Sequence, residues 1–497
     1  MTADAFAGTP DSAKTFFGQP RGLATLFMTE MWERFSFYGM RALLVLYLTA
    51  PQTQGYPPGP GLGFSDGDAA AIYGSYNALV YVLPLAGGWL ADKIWGARRS
   101  VLAGGIIIAA GHFSMALPAE TMFWLGLLLI AGGTGLLKPN ISAIVGHLYT
   151  PDDTRRDAGF SIFYMGINLG AFLAPLVTGY LQINYGWHWG FAAAGIGMCL
   201  GLVQYVLGRK NLGDAGMKPS AKATPAELRK AGRIALISTA VVAAVAVVDA
   251  VLFGWDAADV TTMLTVIILV LPVIYFVRLM RAPMTPVERS RVKAFAALFL
   301  AAVVFWGIYD QAGSTLSVFT QQWIDRDVFG FEVPTAWFQS INPIFIIMFA
   351  PVFAWIWMKL ANRAPSLPLK FAIAMVGIGL SFLIMLPPAA AADNGQQSSA
   401  LWIVTVYLIQ TWAELLLSPT GLSATTELAP AGYGSQMLAL WFLAVAVGDS
   451  IAGQVLRALD DAAYTTIFAV FGIAAVLVSL VMFALIRPIR RLMSGIH

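Results

Sequence analysis

The stretch TEMWERFSFYGMR, residues 29–41, opens a run that continues as ALLVLYLTA and otherwise has the makings of a membrane helix. It nevertheless carries Glu30, Glu33, Arg34 and Arg41. A charge near the bilayer centre costs roughly 2.5–3.5 kcal/mol on insertion scales. Four in one helix demand a purpose other than contact with lipid.

The chain around it fits a membrane. Of 497 residues, 58% are hydrophobic and 11% charged, with a mean hydropathy of +0.71. Soluble domains carry about 25% charged residues, so a lipid environment is expected. The single cysteine, Cys199, can form no intrachain disulfide and says nothing about redox compartment. Net charge is +3, an excess that in a polytopic protein marks loops on the cytoplasmic side. The first 22 residues lack a basic segment followed by an apolar one, so no cleavable signal is expected and the first helix serves as the membrane signal.

A helix needs about 20 apolar residues to cross the hydrocarbon core. That ruler predicts spans near 22–50, 67–94, 98–117, 120–149, 158–183, 188–208, 231–254, 258–280, 293–320, 334–361, 367–388, 400–429, 433–456 and 462–487. The expected fold is therefore all-α and integral to the membrane, with about fourteen transmembrane helices. Basic loops alternate with loops poor in Lys and Arg. Lys93, Arg98, Arg99, Arg155, Arg156 and the linker GRKNLGDAGMKPSAKATPAELRKAGR fall on one side, and APAGYGSQ is an uncharged exception. Both termini come out cytoplasmic.

The expected organisation is a cytoplasmic segment at 1–21 and a six-helix bundle at 22–208. Cytoplasmic linkers with an inserted two-helix hairpin follow at 209–292, then a second six-helix bundle at 293–487 and a cytoplasmic tail at 488–497. GGWLADKIWGARRS and FAWIWMKLANRAPS close corresponding helices of the two halves, a weak internal repeat of the kind secondary transporters are built from. The inserted helices, as in AVVAAVAVVDAVLF, have almost no polar face and read as lipid-facing scaffold.

Charges expected at depth are Glu30, Glu33, Arg34, Arg41, Lys138, Asp310, Glu414 and Asp449, with Asp249 and Glu427 nearer helix ends. Glu30 lies three residues before Glu33 and four before Arg34, so all three share one helix face. Arg41 stands about 10.5 Å further along the same stripe. The cluster has one negative charge too many, and Lys138 is the expected partner if the fourth helix packs on the first. Gly132, Gly133 and Gly135 would permit that approach. A purely structural ion cluster is disfavoured, because replacing buried ion pairs by apolar residues is often neutral or stabilising.

Polar groups accompany these charges: Tyr164 and Asn168 in FYMGINLGAFLAP, Asn342 before Pro343, Glu414 ahead of Pro419, and Gln311 beside Asp310. Asn342 and Glu414 are expected at proline-made kinks. Basic groups on one half and carboxylates on the other would form a polarised cavity suited to a zwitterion. Asp449, in VAVGDSIAG, receives no role.

These motifs resemble the proton-dependent oligopeptide transporter family of the major facilitator superfamily, in its bacterial branch. ExxERFxYYG is matched by Glu30, Glu33, Arg34, Phe35, Phe37, Tyr38 and Gly39, and FYxxINxGxxxxP from Phe163 to Pro175. GxGxxKPN, QxxNP and ExxxSPxGL are matched as well. The resemblance implies two six-helix bundles with two inserted helices between them. It implies a symporter that imports di- and tripeptides by alternating access, driven by protons across the bacterial inner membrane. Arg41 and Lys138 would hold the peptide carboxylate, and Asn168, Asn342 and Glu414 its amino end and backbone. Tyr38 and Tyr81 would add hydroxyls; Trp306 and Trp441 would line side-chain pockets. Glu30, Glu33, Arg34, Lys138 and Asp310 would couple protons. Phe37 departs from the family's tyrosine, and Asp310 is shorter than its glutamate.

No cofactor, metal or nucleic acid is implied, and the protein would work as a monomer. Enzymatic chemistry is not expected: the four histidines, His112, His147, His188 and His497, fall near predicted helix ends or in the tail. Two alternatives stay open, a related transporter of nitrate or another small anion and a receptor that binds peptide without moving it.

Overall fold

The structure, a computed structural model, describes residues 15–150, 152–252, 254 and 257–495. Expectations for residues 1–14, for the side chain of Asp249 and for His497 lie outside the described residues. The first half is built from α1 (Arg21–Thr49), α2 (Asp66–Leu90), α3 (Ala97–Met115), α4 (Glu120–His147), α5 (Arg156–Tyr185) and α6 (Trp187–Gly208). Two further helices follow, α7 (Pro225–Leu252) and α8 (Ala257–Arg281). In the second half, α9 (Pro286–Tyr309) runs through a tight turn at Asp310–Gly313 into α10 (Thr315–Trp323). Then come α11 (Ile341–Leu360), α12 (Leu367–Leu383), α13 (Leu386–Asp393), α14 (Leu401–Glu427), α15 (Gly434–Ala458) and α16 (Tyr464–Leu492). Among the described residues, eleven helical stretches are long and apolar enough to cross a bilayer; α1, α3 and α7 are not among them.

Helix starts follow local chemistry. Ser65 accepts from the Asp68 N–H at 3.2 Å to cap α2, and Thr285 with Glu288 forms a reciprocal capping box on α9. In the first half α1 packs on α5 and α6, and α3 on α4 and α6. In the second, α12 packs on α14 and α16, and α9 on α15 and α16. Small residues set these crossings. The Gly166–Gly170 pair of GINLG lets α5 meet α1 so closely that a Cβ on Gly170 would stand 2.2 Å from the Met31 carbonyl oxygen.

Two expectations about packing are corrected. Gly133 faces Gly104 of α3, and Gly135 faces Leu83 of α2, so the glycines of α4 serve α3 and α2, not α1. The inserted helices also part company. α7 is largely exposed, but α8 docks on both α2 and α15, where Gln454 donates to Thr261 Oγ1 at 3.0 Å. Only α7 has the exposure expected of scaffold.

The halves touch mainly at one end, where α2 starts and α15 stops. There the Gly67 N–H donates to Asp460 at 2.6 Å and Tyr464 to Asp66 at 3.1 Å, while Arg457 pairs with Asp68 at 3.0 Å. Nearby, Trp337 and Ser340 donate to the carbonyls of Leu176 and Phe172 at 3.0 and 2.7 Å. Toward the opposite end, where α1 starts, no side-chain hydrogen bond or ion pair between described residues joins the two halves.

Candidate functional site

Both halves line a central cavity of about 170 Å³. Tyr38 and Arg41 reach it from α1, Tyr81 from α2, and Tyr164 and Asn168 from α5. Trp306, Tyr309 and Asp310 reach it from α9 and its turn, Asn342 from α11, and Glu414 from α14. Seven of the nine residues expected to bind substrate are thus in one place.

The first half supplies the cation. Arg41 is buried, and its Nη2 donates to Asp310 Oδ1 at 2.7 Å across the boundary between halves. Its Nε donates to the Tyr73 hydroxyl at 2.5 Å. Asp310 can meet it because α9 tightens there; Gly313 lies so close to the Tyr73 ring that a Cβ would stand 2.2 Å from the hydroxyl. Opposite, Glu414 Oε2 accepts from the Tyr309 hydroxyl at 2.5 Å and from Asn342 Nδ2 at 3.3 Å. Asn342 stands where a 3₁₀ turn (Thr335–Ser340) passes into α11, with Pro343 in the first helical turn. A proline there needs no helical N–H bond, so the change of helix type, not a mid-helix proline kink, places Asn342.

Below the cavity, Glu30, Glu33 and Arg34 are buried together as expected. Arg34 Nε is 3.0 Å from Glu30 Oε1 and also pairs with Glu33. Phe37 faces the same guanidinium, its ring centre 5.5 Å from Cζ, so the residue that replaces the tyrosine stabilises Arg34 through its π face.

Lys138 is not in contact with these acids. Its Nζ lies 3.8 Å over the Tyr81 ring, and among the described residues no carboxylate reaches it within ion-pair distance. The reason is the packing of α4: it meets α2 and α3, which interposes Tyr81 between the lysine and the cavity. Trp441 does not reach the cavity either. It is buried in the second half against Phe371 and over Gly421, where a Cβ would strike its ring. Sequence reasoning missed Tyr309 and Tyr73, and met Gln339 only as the first residue of QxxNP. Tyr309 sits in the FWGIYDQAGS segment already singled out for Asp310, but one more aromatic in an apolar helix carries no signal of its own.

A family description of the POT family matches residues 98–477. The chain belongs to the POT family. Among POT relatives, it is 44% identical over 487 residues to "Uncharacterized transporter YclF" of Bacillus subtilis (strain 168), covering 97% of each chain. It is 40% identical over 497 residues to a "Di-/tripeptide transporter" of Lactococcus lactis subsp. cremoris, covering 97% of this chain and 98% of that one. A crystal structure of a peptide transporter POT in complex with sulfate superimposes with a TM-score of 0.91 at 46% identity, covering 97% of each chain. The POT fold is that of the major facilitator superfamily, and these relatives are transporters, not enzymes. The chain is accordingly a multi-pass membrane protein.

Proposed function

We propose that this POT protein is a proton-coupled symporter that imports di- and tripeptides across the bacterial inner membrane by alternating access. The observation that carries the reading is the cavity in which Arg41 comes from one half and Asp310 and Glu414 from the other. A peptide spans such a wall with its carboxylate toward Arg41 and its ammonium toward Glu414. Asn168, Asn342, Tyr38 and Tyr81 offer hydrogen bonds to its backbone, and Trp306 offers apolar surface. The names of the curated relatives support the substrate class.

The working units in this proposal are the bundles at 22–208 and 293–487, the insert at 209–292 and cytoplasmic segments at 1–21 and 488–497, in a monomer with both termini inside. With that orientation, the contacts between halves lie on the outer side and the cavity opens inward. Glu30, Glu33 and Arg34 form the coupling cluster. Lys138, held by Tyr81, would respond to substrate through that ring and through its charge. Linkage makes the effect of protons on peptide affinity equal to that of peptide on proton affinity.

The test is dialanine uptake into proteoliposomes under an imposed proton gradient, with Glu33→Gln and Lys138→Ala alongside. Gradient-driven accumulation should fall at least tenfold in both, relative to counterflow exchange in the same preparation. Binding of dialanine with no accumulation by the unmutated protein would overturn the transport reading and leave a receptor. Neither binding nor movement would overturn the substrate class.

A further inference from the structure

Asp449 lies in the middle of α15, 1% exposed, in an acid position that the motifs of the family do not explain. Glycines bring it where it is. Gly74 of α2 packs on the Asp449 carbonyl, where a Cβ would stand 2.4 Å from the oxygen, and Gly448 crosses Gly307 of α9, where a Cβ would stand 2.7 Å from the Gly307 nitrogen. The side chain thereby reaches both neighbours. Asn77 Nδ2 donates to Asp449 Oδ2 at 2.7 Å, and the Gly307–Gly448 crossing brings Asp449 alongside the turn that starts at Asp310.

The partners of the two acids leave a gap of a definite kind. Arg41 takes Oδ1 of Asp310 and Asn77 takes Oδ2 of Asp449. Oδ2 of Asp310 and Oδ1 of Asp449 are buried, and no described donor serves either. Ionised carboxylates only accept, so two of them side by side repel; one proton between them makes an O–H···O⁻ bond, among the strongest available to side chains. Charge agrees, because one proton and Arg41 together neutralise two acids. The other titratable groups facing the pair are Tyr38 of α1, Tyr73 and Tyr81 of α2, Tyr309 of α9 and, behind the Tyr81 ring, Lys138 of α4. α8 faces α15 with Thr261 and Thr265, its Asp259 lying out by Arg457, while Glu414 of α14 is held by Tyr309 and Asn342.

We infer that Asp449 shares a proton with Asp310, so that the second proton site is a carboxyl pair and not a single acid. This deepens the symport reading given above and rests on it. Asp310 lines the cavity and Asp449 does not, so the pair has one member in reach of water and one behind it. On uptake, a hydronium proton forms the O–H bond on one carboxyl, which donates to the other's oxygen. On release that O–H bond breaks, the proton leaves to cavity water, and Arg41 holds the remaining Asp310 carboxylate. Arg41 and Asn77 belong to the first half and both acids to the second, so separation of the halves at this end removes cation and amide together.

The pair is read without any peptide by infrared difference spectroscopy of the lipid-reconstituted protein during a pH titration. The unmutated protein should show a strongly hydrogen-bonded carboxyl band that vanishes in Asp449→Asn and in Asp310→Asn. Asparagine keeps the size and the Asn77 contact but cannot share a proton. In proteoliposomes, Asp449→Asn should lower gradient-driven dialanine uptake at least tenfold relative to counterflow. A carboxyl band that survives either substitution, or a ratio of driven uptake to counterflow unchanged in Asp449→Asn, overturns the pair. A protein that moves no dialanine at all but shows the band and its loss would retain the pair and refute the symport reading.

Discussion

Asp310→Asn removes the charge that Arg41 meets across the boundary between halves. The ion pair is buried, with both side chains at most 10% exposed and 2.7 Å between nitrogen and oxygen. At an effective dielectric near 20, charges about 4 Å apart attract by about 4 kcal/mol. Breaking one side of a buried pair costs about 3–5 kcal/mol, since the other charge is left without compensation. Tyr73 still accepts from Arg41 Nε, which argues for the lower end. The loss falls only on the state in which the halves meet, so about 3 kcal/mol shifts the equilibrium roughly 150-fold toward separation at this end. A protein held closed by that margin would come to near parity. Spin labels at Thr53 and Asp461, on either side of the closed end, would report it after replacement of Cys199 by Ala. Electron double resonance should show a single short distance in the unmutated protein and a second, longer population in Asp310→Asn. Identical distributions in the two would refute the claim that this bridge holds the halves together.

Three other outcomes are expected. Gly87→Ala places a Cβ 2.0 Å from the Gly135 carbonyl oxygen, and overpacking of this kind costs about 1–3 kcal/mol, so the melting temperature in detergent should fall; an unchanged one would contradict the α2–α4 contact. N-acetyl-dialanine should compete for uptake at least tenfold more weakly than dialanine, because Glu414 loses the ammonium proposed to face it; equal competition would place the amine elsewhere. On the linker side, the Glu227 carboxyl is held at about 2 from an ordinary 4.5 by the Thr224 N–H, by Lys93 and by the Thr224 hydroxyl. A depressed acid stabilises above its unfolded value, so the tether is complete above about pH 4.5 and is lost as pH falls toward 2. A spin label at Lys222 should accordingly gain mobility on acidification, and Glu227→Gln should show that mobility already at neutral pH.

How far the sequence could be read depended on the kind of information each feature carries. Most helical spans are announced by composition, because lipid requires about 20 apolar residues in a row, but α1, α3 and α7 are not. The cluster of Glu30, Glu33 and Arg34 was legible because its contacts are within one helix turn, where spacing equals geometry. Partners on different helices were not. Lys138 was assigned to α1 from charge balance, but glycine spacing on α4 does not say which neighbour it serves, and Gly104 and Leu83 claimed those faces. Trp441 failed for a related reason: its helix face is set by Gly421 of α14, some 20 residues away in sequence and unreadable from either segment. Arg41 with Asp310 and Asn77 with Asp449 join residues 269 and 372 positions apart. Only the folded chain makes those pairs.

The cavity also bears on the anion alternative. Among its described lining residues Arg41 is the one basic group, and it already faces Asp310, while Glu414 adds a second acid. A lone small anion entering this space would meet one engaged cation and two carboxylates. That is a repulsive wall unless both acids take up protons. Under the proposed peptide reading, the substrate would bring its own ammonium for Glu414, and its carboxylate would replace Asp310 at Arg41 once Asp310 is neutral. In that reading the same proton would free Arg41 for the substrate and drive the cycle. The proposed substrate class and proton coupling would thus rest on one arrangement of three charges.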